Sequence, residues 1–68
     1  MTLKELRINK GLTQNELAYI AGTAIPYISR AENNKHKLSV INMVNIATKL
    51  SVTITIYPSG NIEYDPIT

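Results

Sequence analysis

Residues 13–35 constrain the fold of this chain more than any other stretch of its sequence. They open with a capping-box spacing, in which the Thr13 hydroxyl accepts a first-turn amide and Glu16 reaches back. Gly22 then follows an apolar helical pattern, and glycine readily adopts the left-handed conformation that side chains disfavour. Pro26 falls in the first turn of the next helical segment, where no backbone donor is lost. The stretch therefore predicts two short helices joined by a tight turn, the second over about residues 24–32.

One more helix is predicted on each side of this pair. Thr2 can cap a first helix that runs to about residue 10 and stops at Gly11. Ser39 can cap a fourth helix over about residues 40–50, and Asn34 is the expected left-handed residue before it, because asparagine tolerates that region. The helical spacing predicts that the apolar side of the fourth helix carries Val40, Met43, Val44, Ala47 and Leu50.

The pattern changes period after the fourth helix. Residues 52–57 alternate strictly and are rich in β-branched side chains, which predicts a strand, and residues 58–61 predict a turn before a return strand over 62–64. An isolated hairpin is marginal in water, and an apolar strand needs a partner for its open edge. The simplest partner is the same strand of a second subunit, paired through Val52, Ile54 and Ile56. The alternative is that the hairpin folds back on its own helices.

The charge of the chain is distributed unevenly. All seven Lys and Arg residues and three of the five acidic residues lie within residues 1–50, which gives that part a net charge of +4, whereas residues 51–68 carry −2. A basic body with an acidic tail suggests that the body, and not the tail, meets phosphate. An ordinary solvated surface is the alternative explanation. With 68 residues in all, the chain has room for one domain with a modest core.

The composition argues against several other classes of protein. There is no cysteine, and the lone His36 has no second histidine, so we expect no disulfide and no metal site. The carboxylates are scattered and no glycine-rich phosphate loop exists, so we expect no catalytic residues and no cofactor. No apolar run approaches the ~18 residues of a membrane span. We therefore expect no membrane partner and a cytoplasmic location, with which the absence of cysteine is compatible.

Several short segments together resemble the Cro/repressor helix-turn-helix family, also called XRE-type regulators. They are Gly11-Leu12-Thr13-Gln14, Leu17-Ala18, Ala21-Gly22, Ile28-Ser29-Arg30 and Glu32-Asn33-Asn34-Lys35. The resemblance extends to Leu50 and so covers about three quarters of the chain. It implies a lambda-repressor-like domain of four to five helices. With the hairpin that the strand pattern predicts, the expected fold is mainly α with a short C-terminal β-hairpin. Residues 1–50 would be the DNA-binding domain, and residues 51–68 the expected dimerisation element.

The resemblance also implies which residues read bases. In the family, this surface is the exposed N-terminal half of the third helix, which here corresponds to Ala24, Ile25, Pro26, Tyr27 and Arg30. Ala24 departs from the usual serine or threonine cap. Ile25 and Pro26 cannot hydrogen-bond through their side chains, so any readout there is apolar contact, for example with thymine methyl groups. Arg30 is the best candidate for bidentate recognition of guanine.

The remaining roles implied by the resemblance concern phosphate contacts and one ion pair. The phosphate-contacting positions are Gln14, Asn33, Lys35 and Lys37. In the family, an arginine late in the first helix pairs with a glutamate at the end of the third, which here means Arg7 and Glu32. That pair is structural, and removing one partner strands the other charge.

Three functions agree with these features. The leading one is a homodimeric transcriptional repressor that binds a pseudo-palindromic operator in double-stranded DNA. The segment from Leu50 to Pro58 also looks like that of HipB-type antitoxins, which bind a toxin protein and their own operator. The third is a protein-interaction module without DNA binding, because residues 24–26 are apolar.

Overall fold

The structure, a computed structural model, describes residues 1–67. The elements follow in the order α1 (Leu3–Asn9), α2 (Gln14–Ala21), α3 (Ile25–Glu32), α4 (Val40–Leu50), β1 (Val52–Ile56) and β2 (Ile62–Pro66). This is the predicted mainly α fold with a C-terminal hairpin, and the helix count is four. Within residues 1–67, no helix has the length and apolar character needed to cross a membrane.

Reciprocal capping boxes fix the starts of α1 and α2. At α1, the Glu5 amide donates to the Thr2 hydroxyl at 3.1 Å, and the Thr2 amide donates to the Glu5 carboxylate at 2.8 Å. Thr13 and Glu16 repeat the arrangement at α2, as predicted. Hydrogen bonds from these backbone amides lower the pKa of both carboxyl groups, because they favour the charged form.

Two side chains of α4 hydrogen-bond to the backbone of the turn between α2 and α3. Gly22 ends α2 with φ 76°, the predicted left-handed conformation, and Asn34 adopts φ 57° after α3. The side-chain amides of Asn42 and Asn45 both donate to the Ala21 carbonyl oxygen, at 2.8 and 3.0 Å. One of the carbonyls that α2 leaves unpaired at its end thus gains two partners, and the turn is tied to α4.

One apolar core joins the helices and the hairpin. Leu6, Leu17, Ile28 and Ile46 are its largest fully buried side chains. The hairpin contributes Val52 and Tyr64 to this core. The other members of the core are Leu3, Ala18, Ala21, Leu38 and Met43. Burial raises the pKa of the Tyr64 phenol, since the ionised form loses its hydration. The hairpin therefore folds back on its own helices, the arrangement that the sequence left as the alternative.

The predicted inner side of α4 was wrong at two positions. Val40 and Val44 are 71% and 52% exposed, whereas Met43 and Ile46 are buried. Ala47 and Leu50 are half-buried, so the inner side is shifted from the predicted one. The helix carries aliphatic residues on two adjacent stripes, and packing against α2 and β1 selects one of them.

The register of the hairpin shows which residues of β1 bond to β2. The register pairs Val52 with Pro66 and Ile56 with Ile62. The bonds from Tyr57 to Asn61 and from Ile67 to Ser51 flank this ladder, so odd-numbered residues of β1 bond to β2.

The outer edge of β2 is occupied by Met1, while that of β1 is open. The Tyr64 amide donates to the Met1 carbonyl oxygen at 2.8 Å, and the Met1 amino group donates to the Tyr64 carbonyl oxygen at 3.0 Å. The alternation directs the backbone amides and carbonyls of Val52, Ile54 and Ile56 away from β2. Within residues 1–67 they have no other backbone partner.

Candidate nucleic-acid interface

The N-terminal half of α3 is exposed to solvent. Ile25 and Tyr27 are 42% and 44% exposed, although both are large apolar or aromatic side chains. Ala24, Pro26 and Arg30 are exposed as well. The opposite side of the helix carries Ile28, which is fully buried and anchors α3 in the core. All five residues that the sequence predicted as base-reading therefore lie on the surface of α3, residues 24–27 at its start and Arg30 in its last turn. We call α3 the recognition helix from here on.

Tyr27 contacts two basic side chains. The Arg30 guanidinium carbon is 5.7 Å from the centroid of the Tyr27 ring, within cation–π distance. The His36 ring centroid lies 5.6 Å from that of Tyr27. The aromatic ring thus supports Arg30, and His36 of the α3–α4 loop packs against the same ring. Sequence reasoning missed this role of His36, since the two rings are nine positions apart and no helical spacing relates them.

The recognition helix begins without a side-chain cap. Ala24 is its N-cap residue and has extended backbone angles, φ −97° and ψ 154°, but no side-chain hydrogen bond. The Tyr27 amide, which a serine or threonine cap would bind, donates instead to the Ala24 carbonyl oxygen at 3.0 Å. Pro26 in the first turn reduces the number of unsatisfied donors by one.

A polar network fastens the other end of the recognition helix to α1 and α2. Arg7 Nε donates to Glu32 Oε2 at 2.6 Å, and a terminal guanidinium nitrogen donates to the other oxygen at 3.2 Å. The second terminal nitrogen of Arg7 donates to the Leu12 carbonyl oxygen at 3.0 Å. The pair is shielded, because the side chains of Arg7 and Glu32 are only 15% and 3% exposed. The Glu32 carboxylate raises the pKa of the Arg7 guanidinium, chiefly through their hydrogen bond.

Gln14 belongs to the same network. Its side-chain amide donates to Glu32 Oε1 at 3.2 Å. One of the two N–H groups of this amide is therefore used inside the protein, and the second remains available. The backbone amides of Gln14 and Asn15 also remain available at the start of α2, because the Thr13 hydroxyl accepts from Glu16 only. A phosphate contact at this position can draw on these backbone amides as well as on the side chain.

The other predicted phosphate ligands lie in and beside the loop between α3 and α4. Asn33 is exposed, but its side-chain amide donates to the Ser29 carbonyl oxygen at 2.9 Å and so helps to end the recognition helix. Lys35 and Lys37 are exposed. The Lys37 ammonium reaches back over the hairpin turn, 2.9 Å from the place where a Cβ on Gly60 would stand. The loop therefore presents two lysines with His36 between them.

The predicted dimerisation residues occupy three different environments. Val52 is 2% exposed and belongs to the core of its own chain, so its side chain is not free to meet a partner. Ile54 is half-buried against that core, and Ile56 is exposed. The backbone groups of all three residues lie on the open edge of β1.

Comparison with known proteins agrees with this architecture. A family model described as helix-turn-helix matches residues 3–57. A propionyl-CoA carboxylase regulator of Cereibacter sphaeroides is 36% identical over 61 residues, which cover 90% of this chain. The matched part is 13% of that relative's length, so the chain corresponds to a small portion of it. No solved structure shows a significant match to the chain.

The match over residues 3–57 contains all four helices and β1. It therefore includes the recognition helix, the network that fastens it and the loop that follows it. On this ground, the chain belongs to the Cro/repressor-type (XRE) helix-turn-helix family of DNA-binding domains.

Proposed function

We propose that this chain acts as a transcriptional repressor that binds a pseudo-palindromic operator in double-stranded DNA as a homodimer. The observation that carries the proposal is the exposed side of the recognition helix, which presents Tyr27 and Arg30 outward while Ile28 anchors the helix in the core. An α-helix of this kind fits the major groove, where each base pair has its own pattern of donors and acceptors. The family match and a relative named as a regulator support the same role.

Base reading and backbone binding fall to different groups in this proposal. Arg30 donates to a guanine, while Ile25 and Pro26 make apolar contact with thymine methyl groups. Lys35, Lys37 and the backbone amides at the start of α2 hold phosphates on either side of the recognition helix. The contacts to phosphate make the affinity depend strongly on salt concentration.

Dimerisation in this proposal uses the open edge of β1. Two copies of Val52–Ile56 can pair antiparallel about a two-fold axis at Ile54, because the segment is its own partner in that arrangement. The strand contains no charged residue, so the pairing creates no like-charge contact. A two-fold dimer would place two recognition helices about 34 Å apart for successive major grooves.

The test is a pair of substitutions at fixed salt. We expect Arg30→Ala to lose selectivity at one base pair, with discrimination reduced by ~1–3 kcal/mol. Lys35→Ala should instead weaken binding to all sequences alike. Selection from a random DNA pool supplies the operator, and gel shifts measure both variants. If neither substitution changes binding, the assignment of the reading surface fails. If the unmodified protein retards no duplex even at low salt, the protein-interaction alternative replaces the proposal.

An antitoxin is the second candidate, and the hairpin favours it. Its open β1 edge could accept a strand from another protein as readily as from a second copy. Expression together with the neighbouring genes, followed by purification of this chain, separates the two roles. A second protein that co-purifies at fixed stoichiometry and whose toxicity this chain suppresses would favour the antitoxin.

A further inference from the structure

A cleft of about 830 Å³ lies beside the C-terminal end of the recognition helix. Its walls are the start of α1, the α3–α4 loop and the hairpin turn. The basic residues that line it are Lys4 of α1 and Lys35, His36 and Lys37 of the loop, and Asn61 of the turn lines it as well. The cleft thus brings together three segments that are far apart in sequence.

The lysines of the cleft have no ion-pair partner within residues 1–67, whereas its two carboxylates do. Glu32 is paired with Arg7, with 2.6 Å between Nε and Oε2. Glu63 is paired with the Met1 amino group at 2.9 Å. The charges of Lys4, Lys35 and Lys37 are consequently uncompensated, and the cleft attracts anions.

The hairpin turn forms part of this basic surface. Gly60 has φ +92°, and a Cβ added there would stand 2.9 Å from the Lys37 ammonium nitrogen. The missing side chain leaves room for that ammonium group directly over the turn. The α3–α4 loop and the hairpin turn therefore form one continuous surface.

We infer that this cleft binds a phosphate group, and that the phosphate belongs to the backbone of the operator. Lysine is a compact point charge suited to phosphate oxygens, and three lysines line this one cleft. Two of them, Lys35 and Lys37, already belong to the loop that faces phosphates in the proposed complex. The inference rests on the proposed function and extends it, because it adds Lys4 and the hairpin turn to the DNA interface.

Lys4→Gln tests the inference through the salt dependence of DNA binding. Each phosphate contact contributes about −0.9 to the slope of log affinity against log salt. If Lys4 makes one such contact, the slope should become shallower by about 0.9. Between 50 and 200 mM salt, the unmodified protein would then lose about 3.5-fold more affinity than the variant, on any duplex. The substitution removes a cation from a helix N-terminus, so it does not disfavour the fold.

Lys49→Gln is the matched control. Lys49 is exposed and lies in the last turn of α4, about 15 Å along the helix axis from the end that follows the loop. It does not line the cleft. We expect the salt slope of this variant to equal that of the unmodified protein. A Lys4→Gln slope equal to the Lys49→Gln slope would overturn the inference and leave the proposed function intact. Failure of the unmodified protein to bind any duplex at low salt would overturn both.

A second pair of variants tests the hairpin turn. Asn61→Asp places a negative charge in the cleft that the lysines line, and Asn61→Ser removes the same amide without adding charge. We expect Asn61→Asp to weaken binding to every duplex several-fold more than Asn61→Ser does, because the added carboxylate repels phosphate. Equal affinities for the two variants would contradict a DNA contact near the turn.

Titration with inorganic phosphate distinguishes the backbone of DNA from a small phosphorylated ligand. Amide chemical shifts are followed at Gly60 and Asn61 in the unmodified protein and in Lys4→Gln. Shifts that saturate at low millimolar phosphate and vanish in the variant, together with an unchanged salt slope on DNA, would assign the cleft to a small ligand and overturn the DNA source. Weak, unsaturated shifts together with the shallower slope support the inference.

Discussion

Tyr27 connects the recognition helix to the loop that follows it. Its ring contacts both the Arg30 guanidinium and the His36 ring. An arginine on a flexible stem loses rotamer entropy when it binds a base, and a supporting ring reduces that loss. The contribution of Tyr27 to DNA binding is therefore expected to come from the ring as well as from the hydroxyl group.

Substitution of Tyr27 separates these two contributions. Tyr27→Phe keeps the ring and removes the hydroxyl, whereas Tyr27→Ala removes both. We expect Tyr27→Phe to retain the base selectivity of Arg30, and Tyr27→Ala to reduce it by about 1 kcal/mol, the scale of an exposed cation–π contact. Competition gel shifts with operator variants measure the selectivity. If the two variants lose selectivity equally, the hydroxyl group and not the ring is responsible.

Ala24 offers a gain of stability at one position. Its backbone already has the extended angles of an N-cap residue, and the Tyr27 amide donates to the Ala24 carbonyl oxygen at 3.0 Å in place of a side-chain cap. Ala24→Ser would exchange this bond for one to the hydroxyl, so we expect it to raise the free energy of unfolding by about 0.5 kcal/mol, the low end of the N-cap range. Urea denaturation followed by circular dichroism measures the change. Ala24→Gly serves as the control, with an expected value only a few tenths lower than that of serine. No gain from serine would mean that the bond to the Ala24 carbonyl oxygen stabilises the helix start as well as a hydroxyl cap does.

At the scale of the helices, the network around Glu32 holds three elements together. It joins α1 through Arg7, the α1–α2 connection through Leu12 and the start of α2 through Gln14. A buried charge that loses its partner is costly, while replacing both partners by apolar groups is often neutral.

We expect Arg7→Met to lower the free energy of unfolding by about 3 kcal/mol, since it strands the Glu32 carboxylate. The double variant Arg7→Met/Glu32→Leu should be clearly more stable than Arg7→Met alone. Chemical denaturation of the two single variants and the double variant gives the coupling energy. Additive losses would show that the two side chains contribute independently and that the ion pair has no special role.

The starts of α1 and α2 predict a dependence of stability on pH. The pKa of Glu5 and of Glu16 is lowered in the folded protein by hydrogen bonds from the capping amides. Their contribution is therefore present above the unfolded-state pKa of about 4.3 and is lost as pH falls through the folded-state value. The melting temperature should decline below pH 4 in the unmodified protein and less in Glu5→Gln/Glu16→Gln. Thermal melts between pH 2.5 and 6 compare the two, and parallel declines would contradict the prediction.

The sequence predicted the helix ends better than it predicted the packing of the helices. Thr13 and Ser39 accept hydrogen bonds from amides of the next turn, and Gly22 ends its helix through its own backbone conformation. The local sequence therefore contains the necessary information. The inner side of α4 was misjudged because Val40–Met43–Val44 and Met43–Ile46–Ala47 satisfy helical spacing equally well. Only contact with α2 and β1 decides between the two stripes.

The candidate site shows the same division. The exposed positions on the recognition helix follow from helical geometry once Ile28 is assigned to the core. That the Gln14 amide bonds to Glu32 depends on how α2 and α3 cross, as does the approach of Lys37 to the hairpin turn. Neither contact has a signature in the local sequence, because the partners are 18 and 23 positions apart.

At the scale of the whole molecule, the free edge of β1 determines how two copies can meet. Met1 occupies the outer edge of β2, so pairing between sheets is left to β1. The alternating ladder directs the backbone amide of Ile56 away from β2. An edge amide of this kind can be removed without loss of a bond inside the protomer, since proline is tolerated on edge strands.

Ile56→Pro should therefore convert the proposed dimer into a folded monomer. Light scattering after size-exclusion chromatography reports the mass, and dispersed amide resonances report the fold. Operator binding should weaken, because one recognition helix contacts only one half-site. Ile56→Val is the control, since it keeps both the amide and a β-branched side chain and should remain dimeric. A dimer that survives Ile56→Pro would rule out pairing through this edge and would point to the exposed aliphatic residues of α4, Val40, Ile41 and Val44, as the contact between copies.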